Sequence, residues 1–328
     1  MKKRVFSGIK PSGSPQLGNY LGAIRRWAAE QDRYDNIFCI VDLHAITVAI
    51  DPAELKRNTR ELAGILVASG IDPARSILFQ QSHVHEHSEM AWLLNCYIPM
   101  GWMQRMTQYK EKVQKQNAEQ VSVGVFDYPA LMAADILLYD THAVPVGDDQ
   151  KQHVELTRDV AQRFNGLYGE TFVVPEPVVA EVGARIMGLQ DPTTKMSKSE
   201  GNEGQSIGLL DPPDVIRKKI MRATTDSQRE VVFDESRPGI YNLLTIYQTI
   251  TGEPARDIEA RFEGKGYGDF KKAVAEAVVE CLRPVQERYA EITADPGYLD
   301  GVFKKGAERA HPIAAETLNR ARRKIGLA

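Results

Sequence analysis

Cysteine is scarce in this chain. There are three in 328 residues, Cys39, Cys96 and Cys281, and none lies near another. That spacing excludes a disulfide framework and any thiolate zinc knuckle built within the chain. Long apolar runs are missing as well. Stretches such as 38–41 and 131–138 fall far short of the roughly 20 residues that a membrane-spanning helix requires. The opening Met1-Lys2-Lys3-Arg4-Val5-Phe6 meets a Gly/Pro turn almost at once, without the apolar core of a signal peptide. A cytoplasmic chain without membrane contact is expected. Nor does charge of one sign dominate: Lys and Arg total 41, Asp and Glu 44, for a net charge of −3. A nucleic-acid partner needs only a local basic surface, so this balance neither requires nor forbids one. What remains is an ordinary globular composition, 43% hydrophobic and 26% charged, long enough for one large α/β domain and a smaller one.

Strand and helix signals alternate through the first half. Residues 5–9 read as a strand closed by Gly8, Pro11, Ser12 and Gly13, and from Gly18 the apolar residues Leu21, Ile24, Trp27 and Ala28 recur on a helical face. Residues 37–41 are continuously apolar, as in a strand covered on both sides. Asp51-Pro52 opens a helix as cap and first-turn proline, and Gly70 closes it. Residues 76–80 and 143–146 supply further strands, 129–139 an apolar helix, and Gln150 starts another. This alternation predicts an α/β fold with a Rossmann-like parallel sheet and helices on both faces. Residues 192–204, rich in Lys, Ser and Gly, read as a loop. Beyond them the pattern is helical over 213–222 and 270–292, where Pro284 is expected to introduce a kink. Pro312 is expected to start a final helix through residue 325. The predicted boundary therefore lies near residue 206, between a catalytic domain (1–206) and a C-terminal all-helical domain (207–328).

Two segments suggest phosphate chemistry. In residues 8–19, Gly-Ile-Lys-Pro-Ser-Gly-Ser-Pro-Gln-Leu-Gly-Asn, a strand, a Gly/Ser turn and a helix start would aim backbone N–H groups at an anion. The glycine spacing is neither a Walker loop nor a dinucleotide fingerprint, and alone it is equally a plain strand-to-helix turn. In Lys195-Met196-Ser197-Lys198-Ser199, two lysines and two hydroxyls on a polar loop suit a polyphosphate; alone, this is a solvated charged loop. Asp135 stands out for another reason. As the single charge in residues 131–139, it is carried by helical packing into an apolar setting, and a buried carboxylate needs a donor. An internal hydrogen bond to a Tyr or backbone group would suffice, and so would a ligand. His83, His85 and His87 alternate as metal ligands could, but among polar residues they read as a solvated loop.

The pairing of the two segments resembles the class I aminoacyl-tRNA synthetases. Gln16-Leu17-Gly18-Asn19 sits where that class carries its first signature, and residues 195–199 match its second without a change. Residues 41–47 (Val-Asp-Leu-His-Ala-Ile-Thr), 105–108 (Arg-Met-Thr-Gln), 131–139, 144–153 and 182–187 are similar to bacterial tryptophanyl-tRNA synthetases, and the likeness runs over nearly the whole chain. It implies an enzyme that activates L-tryptophan with ATP and transfers it to tRNA(Trp). Asp135 would accept the indole N–H; Phe6, Met132, Val144 and Val146 would wall the ring; Tyr128 and Gln150 would hold the ammonium, with His44 in the same pocket. ATP would meet Lys10, Pro11, Ser12, Gly18, Asn19, Gly147, Asp148, Asp149, Ile186 and residues 195–199. Lys195 and Lys198, with Lys112 and a Mg²⁺ held through ATP, would stabilise the departing pyrophosphate, and no protein metal site or permanently bound cofactor is implied.

The resemblance further implies a homodimer formed through residues 85–130, and anticodon reading by the helical domain, its last helix packing back on the catalytic one. Arg217, Lys218, Lys219 and Arg222, then Arg320, Arg322, Arg323 and Lys324, are the basic clusters there; on composition alone they are solvated helix faces. Three positions depart from the branch: Lys10 and Leu43 replace its common Gln, and Gln16 its Thr or His. All three are expected near nucleotide or substrate. A site that must hydrogen-bond its substrate rejects analogues lacking the donor by roughly 10⁴–10⁵, so no editing domain is expected. Three alternatives stay open: a tyrosine-specific relative, a small-molecule adenylyltransferase, and a non-catalytic RNA-binding paralogue.

Overall fold

The structure, a computed structural model, describes residues 2–110, 121–147, 150–179, 185–196 and 204–328. Its centre is one parallel sheet of five strands in the order β3-β2-β1-β4-β5. These are β1 (Arg4–Ile9), β2 (Asp35–Ile40), β3 (Ile77–Gln80), β4 (Ala143–Val146) and β5 (Glu176–Val179). β1 and β2 pair in register from Arg4↔Asp35 to Ile9↔Ile40. The alternation along β2 and β3 shows why residues 37–40 and 77–79 are continuously apolar. Phe38, Ile40 and Leu78 enter one core cluster, whereas Ile37, Cys39, Ile77 and Phe79 enter the cluster on the opposite face. The Rossmann-like α/β architecture expected from the sequence is present. β5 was not expected. Pro177 lies inside it and hides it from a strand reading, yet an edge strand tolerates a proline.

The helices follow local signals where those are strong. After β1 the chain forms α1 (Leu17–Asn19), a π-helical turn over Tyr20–Ile24 and α2 (Arg25–Ala29). α3 (Asp42–Ala45) follows β2, and α4 (Pro52–Ala68) begins where the Asp51 side chain accepts from the Glu54 N–H. Gly70 ends that segment at φ +103°, a conformation few side chains adopt. α5 (Glu86–Asn95) and α6 (Met100–Gln104) precede α7 (Val123–Leu137), and α8 (Lys151–Tyr168) lies between β4 and β5. α7 starts six residues before the expected Pro129, which sits inside the helix instead of opening it. The C-terminal part adds α9 (Pro213–Met221), α10 (Pro238–Thr251), α11 (Ala255–Phe262), α12 (Tyr267–Ala294) and α13 (Pro296–Lys324).

α13 corrects a second expectation. It opens at Pro296, where the Asp295 side chain accepts from the Gly297 N–H, and it continues through Pro312. Cap and first-turn proline together define the start. α13 packs along the edge strand β3. Gly306 sits so close that a Cβ there would lie 1.8 Å from the Leu78 carbonyl oxygen. Arg309 donates to the Pro73 and Ser76 carbonyls, and Arg320 to the Thr171 carbonyl at 2.7 Å and to Asp140. Arg320 and Arg322, the latter paired with Glu89, are therefore internal ties and not a solvated basic face. One apolar cluster runs from Leu17 to Phe303, so the core continues across residue 206. Among the described residues, no helix is long and apolar enough to cross a membrane.

Candidate active site

In an open parallel sheet, ligands settle beyond the carboxyl ends of the strands where the strand order reverses. Here that point lies between β1 and β4. A cavity of about 430 Å³ opens there, within the usual range for small-molecule sites. Phe6, Ser7, Gly8 and Lys10 line it from β1 and the turn after it, and Val144, Pro145, Val146 and Gly147 from β4. His44, Thr47 and Val48 come from α3 and the residues after it; Val125, Tyr128, Met132, Asp135 and Ile136 come from α7. Trp27, Val41, Gln108 and Gln150 complete the wall. All eight residues that the sequence assigned to tryptophan are thus brought to one cavity, together with Lys10 and Gly147 from the nucleotide set.

Asp135 is 1% exposed. Its Oδ1 accepts from Gln81 Nε2 at 2.6 Å and pairs with His87 Nδ1 at 2.6 Å, while Oδ2 pairs with His44 Nε2 at 2.8 Å. Burial pushes this carboxyl upward, but the hydrogen bonds and charge of His44 and His87 prevail and hold it at about 2. The wall therefore carries a fixed anion. Its internal donors are these three side chains and, among the described residues, not the Tyr or backbone group that the sequence offered as the internal alternative. Tyr139 is reached one step further out, where its hydroxyl meets His87 Nε2 at 2.8 Å. Its ring, fully buried, stacks on Phe6 at 5.6 Å, and burial pushes its phenol well up.

Gln81 is the hinge of this network, because its Oε1 also accepts from the Leu43 N–H at 3.1 Å. Sequence reasoning missed both Gln81 and His87. Residues 83–87 are not a uniformly solvated loop: Val84, Glu86 and His87 are buried, while His85 and His83, whose ring packs edge-on against Phe303, are exposed. The signal available was a polar run directly after a strand, and hydropathy cannot distinguish a polar run that turns inward. Opposite Asp135, the Tyr128 hydroxyl contacts Gln108 and lies 2.7 Å from His153 Nε2. The His44 and Tyr128 rings meet edge to face at 6.1 Å.

At the other end, the two signatures touch. A Cβ on Gly18 would lie 3.6 Å from both Ile186 Cβ and Met196 Cβ, so the helix start packs directly on the root of the lysine-bearing segment. That root is built as a small clasp. Met187 and Lys195 form an antiparallel bridge, and the Met196 N–H donates to the Ile186 carbonyl at 3.1 Å. Asn242 from α10 exchanges hydrogen bonds with the Met187 backbone, and the Gln205 side chain accepts from the Gln190 and Asp191 N–H groups. Leu17 N–H donates to the Ile207 carbonyl at 2.8 Å, tying the first signature to the same strip. Lys195 is exposed, Pro11 and Met196 are buried, Ser12 lies in the turn after β1, and Asn19 ends α1. Lys112, Asp148, Asp149, Ser197, Lys198 and Ser199 lie outside the described residues. Of the three departures, Lys10 lines the cavity. Gln16 caps α1, its N–H donating to Asn19 Oδ1 at 3.0 Å, and Leu43 contributes its backbone to Gln81 and is not among the lining residues.

A family profile described as tRNA synthetases class I (W and Y) matches residues 1–283. The chain belongs to the class I tRNA synthetases (W and Y). Among the synthetases it resembles, the tryptophan–tRNA ligase of Wolinella succinogenes is 59% identical over 327 residues, covering 100% of this chain and 99% of the relative. The tryptophanyl-tRNA synthetase of Mycoplasma pneumoniae superposes with a TM-score of 0.91 at 40% identity, covering 100% of this chain and 99% of that one. That of Campylobacter jejuni, solved in complex with ADP and tryptophan, superposes with a TM-score of 0.87 at 36% identity, covering 99% and 100%.

Proposed function

We propose that this synthetase activates L-tryptophan with ATP and transfers it to the 3′-terminal ribose of tRNA(Trp) in the cytoplasm. The observation that carries this reading is Asp135: a buried carboxylate, ionised and held by three side chains, facing an otherwise largely apolar cavity. An indole offers an apolar body and a single N–H donor, which is the complement of that wall. A phenol O–H could donate to the same carboxylate, so the choice of tryptophan over tyrosine is supported by the full-length likeness to tryptophan–tRNA ligases.

In the first step a tryptophan carboxylate oxygen bonds to the α-phosphorus, the bridging P–O bond to the β-phosphate breaks, and pyrophosphate leaves. In the second, a ribose hydroxyl attacks the activated carbonyl and AMP departs. Neither step needs a protein nucleophile, so the work is positioning and charge stabilisation. Phe6, Met132, Val144 and Val146 would hold the ring, with Tyr128, Gln150 and His44 around the amino acid. Lys10, Pro11, Ser12, Gly18, Asn19, Gly147, Asp148, Asp149, Ile186 and 195–199 would serve ATP. Mg²⁺, carried on the phosphates, would neutralise part of their charge, and Lys195, Lys198 and Lys112 would meet the leaving pyrophosphate.

The helical residues after 206 would read the anticodon, with Lys218, Arg222, Arg323 and Lys324 the exposed cations of the two basic clusters. Residues 85–130 would form a homodimer interface, a reading supported by the exposure of Trp92, Met100 and Val123 at 68%, 62% and 78%. The decisive experiment is amino-acid-dependent ATP–pyrophosphate exchange across all twenty amino acids, followed by charging of tRNA. Exchange with tryptophan alone is expected; exchange with tyrosine, or none at all, would overturn the assignment.

A further inference from the structure

Away from the cavity, at the start of α5, a buried carboxylate leaves one oxygen without a donor. Glu86 is 2% exposed. Its Oε1 pairs with His311 Nδ1, on α13, at 2.7 Å. Among the described residues its Oε2 has no hydrogen-bond partner, and His85 Nδ1 stands 3.7 Å from it, beyond hydrogen-bond reach. An ionised carboxylate offers about four acceptor sites, and leaving one oxygen unsatisfied inside a protein is costly. The helix N-terminus offsets part of that cost and supplies no donor to Oε2.

The two histidines complete a recognisable donor set. Their ring centroids are 5.8 Å apart, and one ligand atom from each of His85, Glu86 and His311 lies within 4.8 Å of the others. The carboxylate forms a buried floor; the imidazoles, 77% and 53% exposed, form an open rim.

We infer that His85, Glu86 and His311 form a binding site for a divalent transition-metal ion of the zinc class, joining the start of α5 to α13. Two imidazoles and one carboxylate are a zinc ligand set that keeps a position for water, whereas calcium and magnesium prefer oxygen donors throughout. With metal–ligand bonds of about 2.0–2.1 Å, tetrahedral ligand atoms stand roughly 3.3–3.5 Å apart. The 2.7 and 3.7 Å separations bracket that spacing, and the exposed rings can turn to meet it. The ion would brace the helix that covers the sheet edge, at a place remote in sequence from both signature segments.

The test uses the full-length protein, stripped with a chelator and titrated with zinc chloride in a calorimeter. One equivalent should bind, and zinc should raise the melting temperature. His85→Ala and His311→Ala, both at exposed positions, should each weaken binding by at least about tenfold and remove the melting shift. Tryptophan-dependent exchange by the zinc-free variants should match the zinc-free wild type, since neither residue lines the cavity. Absence of stoichiometric binding, or binding unchanged in both variants, would overturn the assignment and leave an ordinary His–Glu hydrogen bond.

Discussion

Replacing Asp135 by Asn changes one atom type and keeps the shape, so it isolates what the anion does. In the folded protein Oδ1 faces two donors, Gln81 Nε2 and His87 Nδ1, each at 2.6 Å, and Oδ2 faces His44 Nε2 at 2.8 Å. An amide has a single acceptor oxygen. Turned toward Gln81 and His87, it keeps two partners and presents NH₂ on the side of His44 and the cavity, where an indole N–H would meet another donor. Loss of a charge-assisted hydrogen bond costs about 1.5–3 kcal/mol, which corresponds to roughly 10–150-fold in kcat/KM. The assay is tryptophan-dependent ATP–pyrophosphate exchange, run beside a benzothiophene analogue in which sulfur replaces the indole N–H. Wild type should discriminate strongly against the analogue, and Asp135→Asn should discriminate far less. If a variant shown to be folded by circular dichroism keeps the wild-type discrimination ratio, Asp135 does not read the indole N–H.

The same substitution bears on acid stability. Asp135 sits at about 2 in the folded protein, below the ordinary aspartate value near 4, so its stabilising effect is complete above about pH 4 and fades as pH falls toward 2. The stability gap between wild type and Asp135→Asn should shrink over that window by roughly 2 kcal/mol in urea titrations; a gap that does not move with pH contradicts the assignment. Lys195→Ala should slow adenylate formation by about 10²–10³ with little change in tryptophan affinity, and exchange within about threefold of wild type would remove Lys195 from the reaction. Gly306→Ala would force a methyl group into the Leu78 carbonyl and should cost about 1–3 kcal/mol or more, read as a lower melting temperature. An unaffected melt would mean that α13 is not seated on β3.

Legibility in the sequence followed the strength of the local signals. β1, β2 and α4 announced themselves through apolar runs, an Asp-Pro cap and a closing glycine. β5 did not, because Pro177 breaks the pattern that edge position permits. α13 was expected to begin at Pro312, since a proline reads as a boundary, but Asp295 and Pro296 supply a better one, and the helix begins sixteen residues earlier. At the site, Asp135 could be singled out because a lone charge in an apolar helix demands an explanation. Its partners could not, for Gln81 and His87 belong to a polar run whose inward turn is set by tertiary packing. Asn242 and Gln205, which clasp the root of the lysine-bearing segment, were invisible for the same reason.

The seating of α13 along β3 also bears on how the chain is assembled. Strands β1 to β5 leave the ribosome long before residues 296–324, so the β3 border of the sheet must wait, open to any passing strand, until the last helix arrives to close it. Nascent or clipped chains ending short of Pro296 should therefore be the ones that associate through that border and draw on chaperones, even though every residue around Asp135 has already been made.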